Sequence, residues 1–311
     1  MDWAQLWEIV SLPDNVPIVA LAILVPFYAW YGLRQARATD RLTVALEADP
    51  QLAKTHHRKT HPYKPGWARE VQVWPYLLRI EFLAAVIVTL VLMIWSITLN
   101  APLEEPANPN HTMNPAKAPW YFVGLQEMLV YFDPWFAGVV LPTLIIIGLM
   151  AFPYIDTNPL GIGYYTIRQR KVALAGFGVG FVIWLLLIFI GTFIRGPGWM
   201  WFWPGQTWDH TRVIYEVNRN LPDLFGISNP IIAAILGIIA IGLFFAGSGW
   251  AIHKLVTRST LDRKVYERTS LLQYLTFQVF AITILVGLPA KMLLRLLFRI
   301  KYVLVTPWFN V

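Results

Sequence analysis

Long apolar runs alternate with short cationic or proline-rich segments along almost the whole chain. The first is Val16–Trp30, VPIVALAILVPFYAW, extended to Leu33 and followed at once by Arg34, Arg37 and Arg41. Tyr76–Leu99, Phe132–Tyr154, Val172–Ile194, Ile231–Ile252 and Leu271–Leu288 come after it. An apolar helix of roughly 20 residues crosses the hydrocarbon core of a bilayer. The pattern predicts an all-α polytopic membrane protein with about six transmembrane helices. The first run is short for a span, and an interfacial helix is its alternative. Residues 1–16 read as a short amphipathic segment with Trp3 and Trp7 as interfacial anchors.

Composition excludes an ordinary soluble domain. The hydrophobic fraction is 57% and the charged fraction 14%, against about 45–50% and 25% in typical globular chains. The net charge of +7 reads as positive-inside bias plus contact with anionic lipid, with no nucleic-acid partner. The segment 34–74 is rich in Arg and Lys and belongs on the cytoplasmic side, as do Arg168, Arg170 and Lys171 and the cations from His253 to Arg268. Residues 100–131 and 195–228 then lie outside, and so does the N-terminus. Lys291, Arg295, Arg299 and Lys301 conflict with this scheme. Either they lie outside, or residues 289–311 bend back along the inner interface. The start MDWAQLWEIV lacks the basic region and small-residue site of a signal peptide, and a bacterial-type cytoplasmic membrane is the expected location.

The chain has no cysteine, which removes disulfides, thiolate-held iron–sulfur clusters and covalent c-type haem from it. His56, His57 and His61 read as part of a solvated basic loop rather than a metal site. Gly176, Gly178 and Gly180 read as helix-packing positions rather than a nucleotide loop. No internal repeat of the kind that builds transporters is visible. The expected divisions are an extra span at 1–33, a basic loop at 34–74, a membrane domain at 75–252, and a further span with an interfacial segment at 253–311.

Asn114–Phe136, NPAKAPWYFVGLQEMLVYFDPWF, organises the rest. Pro115, Pro119 and Pro134 prevent one regular helix from running through it. Asp133 before Pro134 suits the cap of the next helix. Tyr121, Gln126 and Glu127 are hydrogen-bonding groups among aromatic rings.

Here and in its flanks the chain resembles the C-terminal part of cytochrome b, including the separate subunit IV of cytochrome b6f-type complexes. Glu105-Pro106-Ala107-Asn108-Pro109 match that family's E-P-A-[DN]-P run. Ala118-Pro119-Trp120-Tyr121-Phe122 stand where the family has Pro-Glu-Trp-Tyr-Phe. Gly138, Pro153 and Asn158–Pro159 also fit. The resemblance covers about residues 60–195 and, more loosely, 231–252. Pro119 replaces the family's glutamate, which is thought to help take a proton from quinol.

The resemblance implies a membrane subunit of a cytochrome bc-type quinol oxidoreductase, inactive alone and coupled to proton translocation. The quinol site would lie in the outer-face loop. Pro119, Trp120, Tyr121, Phe122, Gln126, Phe132 and Trp135 are the candidate quinone-binding residues, with Tyr121 as hydrogen-bond partner and Glu127 as candidate base. If residues from Tyr121 are helical, Glu127 faces near Val123 and Gly124, where desolvation would favour proton transfer. Its alternatives are pairing with a partner-chain cation or an exposed position. Arg79 and Glu81 are candidates for an inner quinone site, or a snorkelling pair. No histidine lies within an apolar run, so the resemblance places haem b on a cytochrome b N-terminal-type partner. It places the iron–sulfur centre on a Rieske protein, and implies a cytochrome c-type acceptor and a dimeric complex. The alternative is a non-catalytic anchor or transporter component that reuses the span pattern.

Overall fold

The computed structural model describes residues 3–55, 73–100, 106, 108–110, 112–156, 165–211 and 217–311. Among these, six helices are long and apolar enough to cross a membrane: Pro13–Ala48, Val73–Thr98, Phe136–Ile155, Lys171–Ile194, Pro230–Arg258 and Leu271–Phe298. The protein is an all-α polytopic membrane protein. His56, His57, His61, His111, Glu104, Glu105 and Asn158–Pro159 lie outside the described residues. Two compact units are present: Trp7–His111 with Leu160–Tyr165, and Met1–Leu6 with Thr112–Pro159 and Thr166–Val311.

In the chain's first part, α1 (Trp3–Ser11) buries Ile9 and exposes Trp3 and Trp7. A turn at Pro13–Asn15 leads into α2 (Val16–Ala48). The expected helix end near Leu33 is corrected here: α2 runs on as one helix through Arg34, Arg37 and Arg41. Residues 34–49 contain neither glycine nor proline. The Arg, Ala, Leu and Gln among them are good helix formers, so nothing interrupts the ladder before Pro50. The Asp49 carboxylate then accepts from the N–H groups of Gln51 and Leu52 at 2.9 and 3.2 Å, which starts α3 (Pro50–Thr55). The cationic segment therefore begins as helix. A π-helical turn at Val73–Leu77 precedes α4 (Leu78–Thr98), whose residues are all exposed.

The larger unit starts with α5 (Trp120–Tyr131), held between Pro119 and Pro134 as the proline spacing predicts. The Asp133 carboxylate accepts from the Trp135 N–H at 3.1 Å, the expected cap. A π-helical turn at Phe136–Val140 opens α6 (Leu141–Ile155). Next come α7 (Lys171–Phe189) with a π-helical turn at Ile190–Ile194, short α8 (Leu221–Leu224), α9 (Pro230–Arg258) and α10 (Thr260–Arg268). Finally α11 (Leu271–Phe280) passes through a π-helical stretch, Ala281–Gly287, into α12 (Leu288–Phe298). The core lies where Met128, Tyr131 and Phe132 meet Leu141, Leu187 and Met292. In lipid such packing depends on close approach of helices. Gly176 and Gly180, four positions apart, are where Leu285 comes nearest, at 3.3 and 3.2 Å from an ideal Cβ, while Gly178 faces open space.

The two ends of this unit are tied differently. At one end the Arg170 guanidinium donates to Asp156 at 2.6 Å, and Asp262 accepts from the Val172 N–H and the Ser259 hydroxyl. At the other, Arg299 ends α12 in the left-handed region, φ 58°. The chain then runs beside residues 219–221: the Arg219 N–H donates to the Arg299 carbonyl (3.1 Å), and the Lys301 N–H to the Arg219 carbonyl (2.8 Å). The helix thus continues past the sixth apolar run at Leu288 to Phe298 before the chain turns. Pro289 is tolerated at the second position of α12 because the preceding π-helical stretch absorbs the missing N–H. Lys291, Arg295, Arg299 and Lys301 thus stand at the end where residues 219–221 lie.

Candidate functional site around α5

Tyr131 and Glu127 are four apart in α5, so they share a face with Val123, Gly124 and Met128, and all five are buried. Glu127 has no exposed surface at all. A carboxylate in such a place must have its lone pairs filled. Arg195 does most of this: its Nε lies 3.0 Å from Oε2 and its Nη2 2.8 Å from Oε1. The Tyr131 hydroxyl donates to Oε1 at 2.8 Å, and the Trp199 indole N–H to Oε2 at 3.0 Å.

The opposing half of the site is a tight turn after α7. The Arg195 N–H closes the π-helical turn on the Ile190 carbonyl, and the Phe202 N–H returns to the Ile194 carbonyl. Gly196 fits because a Cβ there would lie 2.6 Å from the Phe202 ring, and Gly198 takes φ +65°. The turn is held from the other side as well. Asn114 accepts from the Gly198 N–H. Lys117 donates to the Thr192 carbonyl at 2.8 Å, with its ammonium 5.0 Å from the Trp208 ring centre. A π-helical turn leaves carbonyls free for such a donor.

Electrostatics follow the geometry. Burial alone would lower the Arg195 pKa, but the hydrogen bonds and charge of Glu127 raise it, so the guanidinium is permanently charged. Burial first, then the charge of Glu127 and its hydrogen bond, push the Tyr131 phenol up, which keeps it a donor. Burial lowers Lys117 from 10.5 to about 8, with Glu127 opposing.

The expected site residues separate into two sets. Pro119, Tyr121, Phe122 and Trp135 are exposed, and Trp120 is half-buried. The Tyr121 ring packs edge-on against Trp120 and Phe122, at 5.6 and 4.9 Å between centroids. Leu125 and Leu129 extend this face along α5. Gln126, Glu127 and Phe132 are engaged elsewhere. The Gln126 amide bridges the Ala116 carbonyl and the Ala118 N–H, both at 2.8 Å. Phe132 is buried and stacked on Phe136 at 5.0 Å. Glu127 is buried beside Val123 and Gly124, and the cation it pairs with is Arg195 of this chain. Arg195 was missed by sequence reasoning. Its only signal is a lone cation between an apolar run and a Gly-Pro-Gly turn.

Arg79 and Glu81 are exposed in the first turn of α4. Two positions apart on a helix, they do not face each other. For haem, axial ligation needs facing histidines. The described ones, His210 and His253, do not supply a facing pair: His210 is in a loop, and His253 Nδ1 is 3.0 Å from the Tyr274 hydroxyl.

Residues 106–203 match the model of the family described as cytochrome b (C-terminal)/b6/petD. Over this segment, about a third of its length, the chain is similar to the C-terminal part of cytochrome b. The match takes in α5, α6, α7 and the turn that carries Arg195, so the whole buried ion-pair site falls inside it. No curated protein and no solved structure matches the chain.

Proposed function

We propose that this chain is a membrane subunit of a cytochrome bc-type quinol oxidoreductase complex and that the exposed face of α5 forms one wall of its quinol oxidation site. The observation that carries the reading is the division of α5 into two faces within the cytochrome b segment. One face is locked by Glu127 and Arg195. The other presents Tyr121, Phe122, Leu125 and Leu129, all exposed. Aromatic and aliphatic side chains offer a flat apolar surface to a quinol ring. The Tyr121 hydroxyl is placed to hydrogen-bond a ring oxygen, and Trp120, Phe122 and Trp135 border it.

Haem b and a Rieske centre, carried by partner chains, supply the two one-electron acceptors. Within this chain the work is positional. Asn114, Lys117 and Gln126 fix the loop that leads into α5, and Glu127 anchors the helix to the turn after α7. We assign Glu127 the role of an anchor, because both its oxygens accept from Arg195, Tyr131 and Trp199 and it has no exposed surface to meet a quinol. With Pro119 in the family's glutamate position, the proton acceptor belongs to a partner chain. The complex is placed in a bacterial-type cytoplasmic membrane, passing electrons to a cytochrome c-type protein and protons to the outer side.

The test is to purify the complex through a tag on this chain and record its reduced-minus-oxidised spectrum with a quinol as reductant. A quinol-reducible b-type haem signal that follows the chain through purification is expected. Purification of the folded chain without any haem-bearing partner would instead favour a non-catalytic anchor.

A further inference from the structure

We propose that Arg219, Arg299 and Lys301 form a binding site for the phosphate of an anionic phospholipid headgroup. The parallel pairing of Arg219 with Ile300 brings the backbones of the three side by side, with main-chain hydrogen bonds of 3.1 and 2.8 Å on either side of Arg219. Arg219 and Arg299 are exposed, and Lys301 is half-buried with its ammonium 5.1 Å from the Tyr302 ring centre.

No carboxylate among the described residues answers these charges. Arg170 pairs with Asp156 and Asp262, Arg195 with Glu127, and Arg263 with Glu267, away from these three. Asp223 is nearby in sequence, but its carboxylate accepts from the Asn220 N–H at 2.7 Å and starts α8. Arg295, one turn before Arg299, hydrogen-bonds Asn218. Arg299 also holds a left-handed backbone conformation in which glycine or asparagine is usual. A non-glycine residue kept there points to a use for its side chain.

The surroundings select lipid over an acidic protein. Leu297, Phe298 and Trp308 are 68%, 63% and 90% exposed, at the end of a helix long and apolar enough to span a membrane. Exposed aliphatic and aromatic groups beside cations at a span end match the boundary between acyl chains and headgroups. A soluble partner would meet charges set away from hydrocarbon. These cations also stand at the end opposite Arg170 and Arg263, so orienting the chain by its inner-side charges does not account for them.

The experiment uses the purified complex, stripped of lipid in detergent and titrated with phosphatidylglycerol or phosphatidylcholine, with bound lipids counted by native mass spectrometry. Wild type should retain phosphatidylglycerol selectively, and less so as salt is raised. Changing Arg219, Arg299 and Lys301 together to Gln should weaken that binding about a hundredfold. The pair Arg219→Lys and Arg299→Lys should keep it, and provides a folded control should the neutral variant fail to assemble. Equal retention by the neutral variant, equal binding of the two lipids, or salt-independent binding would overturn the proposal. So would an unchanged lipid count together with loss of a soluble acidic subunit.

Discussion

Replacing Glu127 by glutamine removes the carboxylate charge that Arg195 pairs with. Breaking a buried pair from one side costs about 3–5 kcal/mol, whereas replacing both members with apolar groups of similar size is often close to neutral. Glu127→Gln and Arg195→Gln should therefore each lower the thermal stability of the purified complex strongly, and Glu127→Leu with Arg195→Met should restore most of it. If Glu127 were a base, Glu127→Gln would instead assemble normally and lose turnover. Lys117 gives a pH signature. The folded protein releases its proton near pH 8, while the unfolded chain holds it to 10.5. Between those values the unfolded state binds more protons, so this group makes stability rise with pH; below about 8 the full cost of the buried ammonium is present. Thermal unfolding across that window should show the rise in wild type and a flatter profile in Lys117→Met.

At the scale of elements, the seat of α5 on the end of α7 depends on Gly191, where a Cβ would lie 2.9 Å from Val123 Cγ2 and 3.2 Å from the Val123 carbonyl. Gly191→Ala should cost about 1–3 kcal/mol by overpacking. Gly178→Ala, in open space, should be tolerated, and melting temperatures of the two variants provide the comparison. Much of this architecture was legible in the chain. Prolines 119 and 134 bound α5, Asp133 caps the helical segment that begins after Pro134, and the apolar runs mark the spans. Helix ends were less legible where charged residues have high helix propensity, as at Arg34–Ala48, or where a π-helical turn lets a helix pass a proline, as at Pro289. The Glu127–Arg195 pair could not be read at all, because its members are 68 positions apart and no periodicity connects them. The aromatic cluster at 119–122 was visible as composition. That Phe132 turns inward while Trp135 stays exposed depends on the turn between them.

At the scale of the whole molecule, the larger unit places residues 195–211, 217–228 and the C-terminus at one end and α10 at the other. The chain lacks cysteine, so single cysteines report this directly. His210→Cys and Trp308→Cys should react with an impermeant thiol reagent from the same side of the membrane, and Lys264→Cys only from the opposite side. The proposed function depends most on the two faces of α5. The measurement that separates them is quinol oxidation per assembled, haem-containing complex in Tyr121→Phe, Phe122→Ala and the Glu127→Leu/Arg195→Met pair. A quinol-facing wall on α5 predicts roughly tenfold or greater loss for each of the two exposed-face variants, the size of one hydrogen bond or packed ring in the transition state. Turnover of the apolar pair should stay near wild type. Wild-type turnover in both exposed-face variants, or a loss confined to the Glu127 pair, would contradict it.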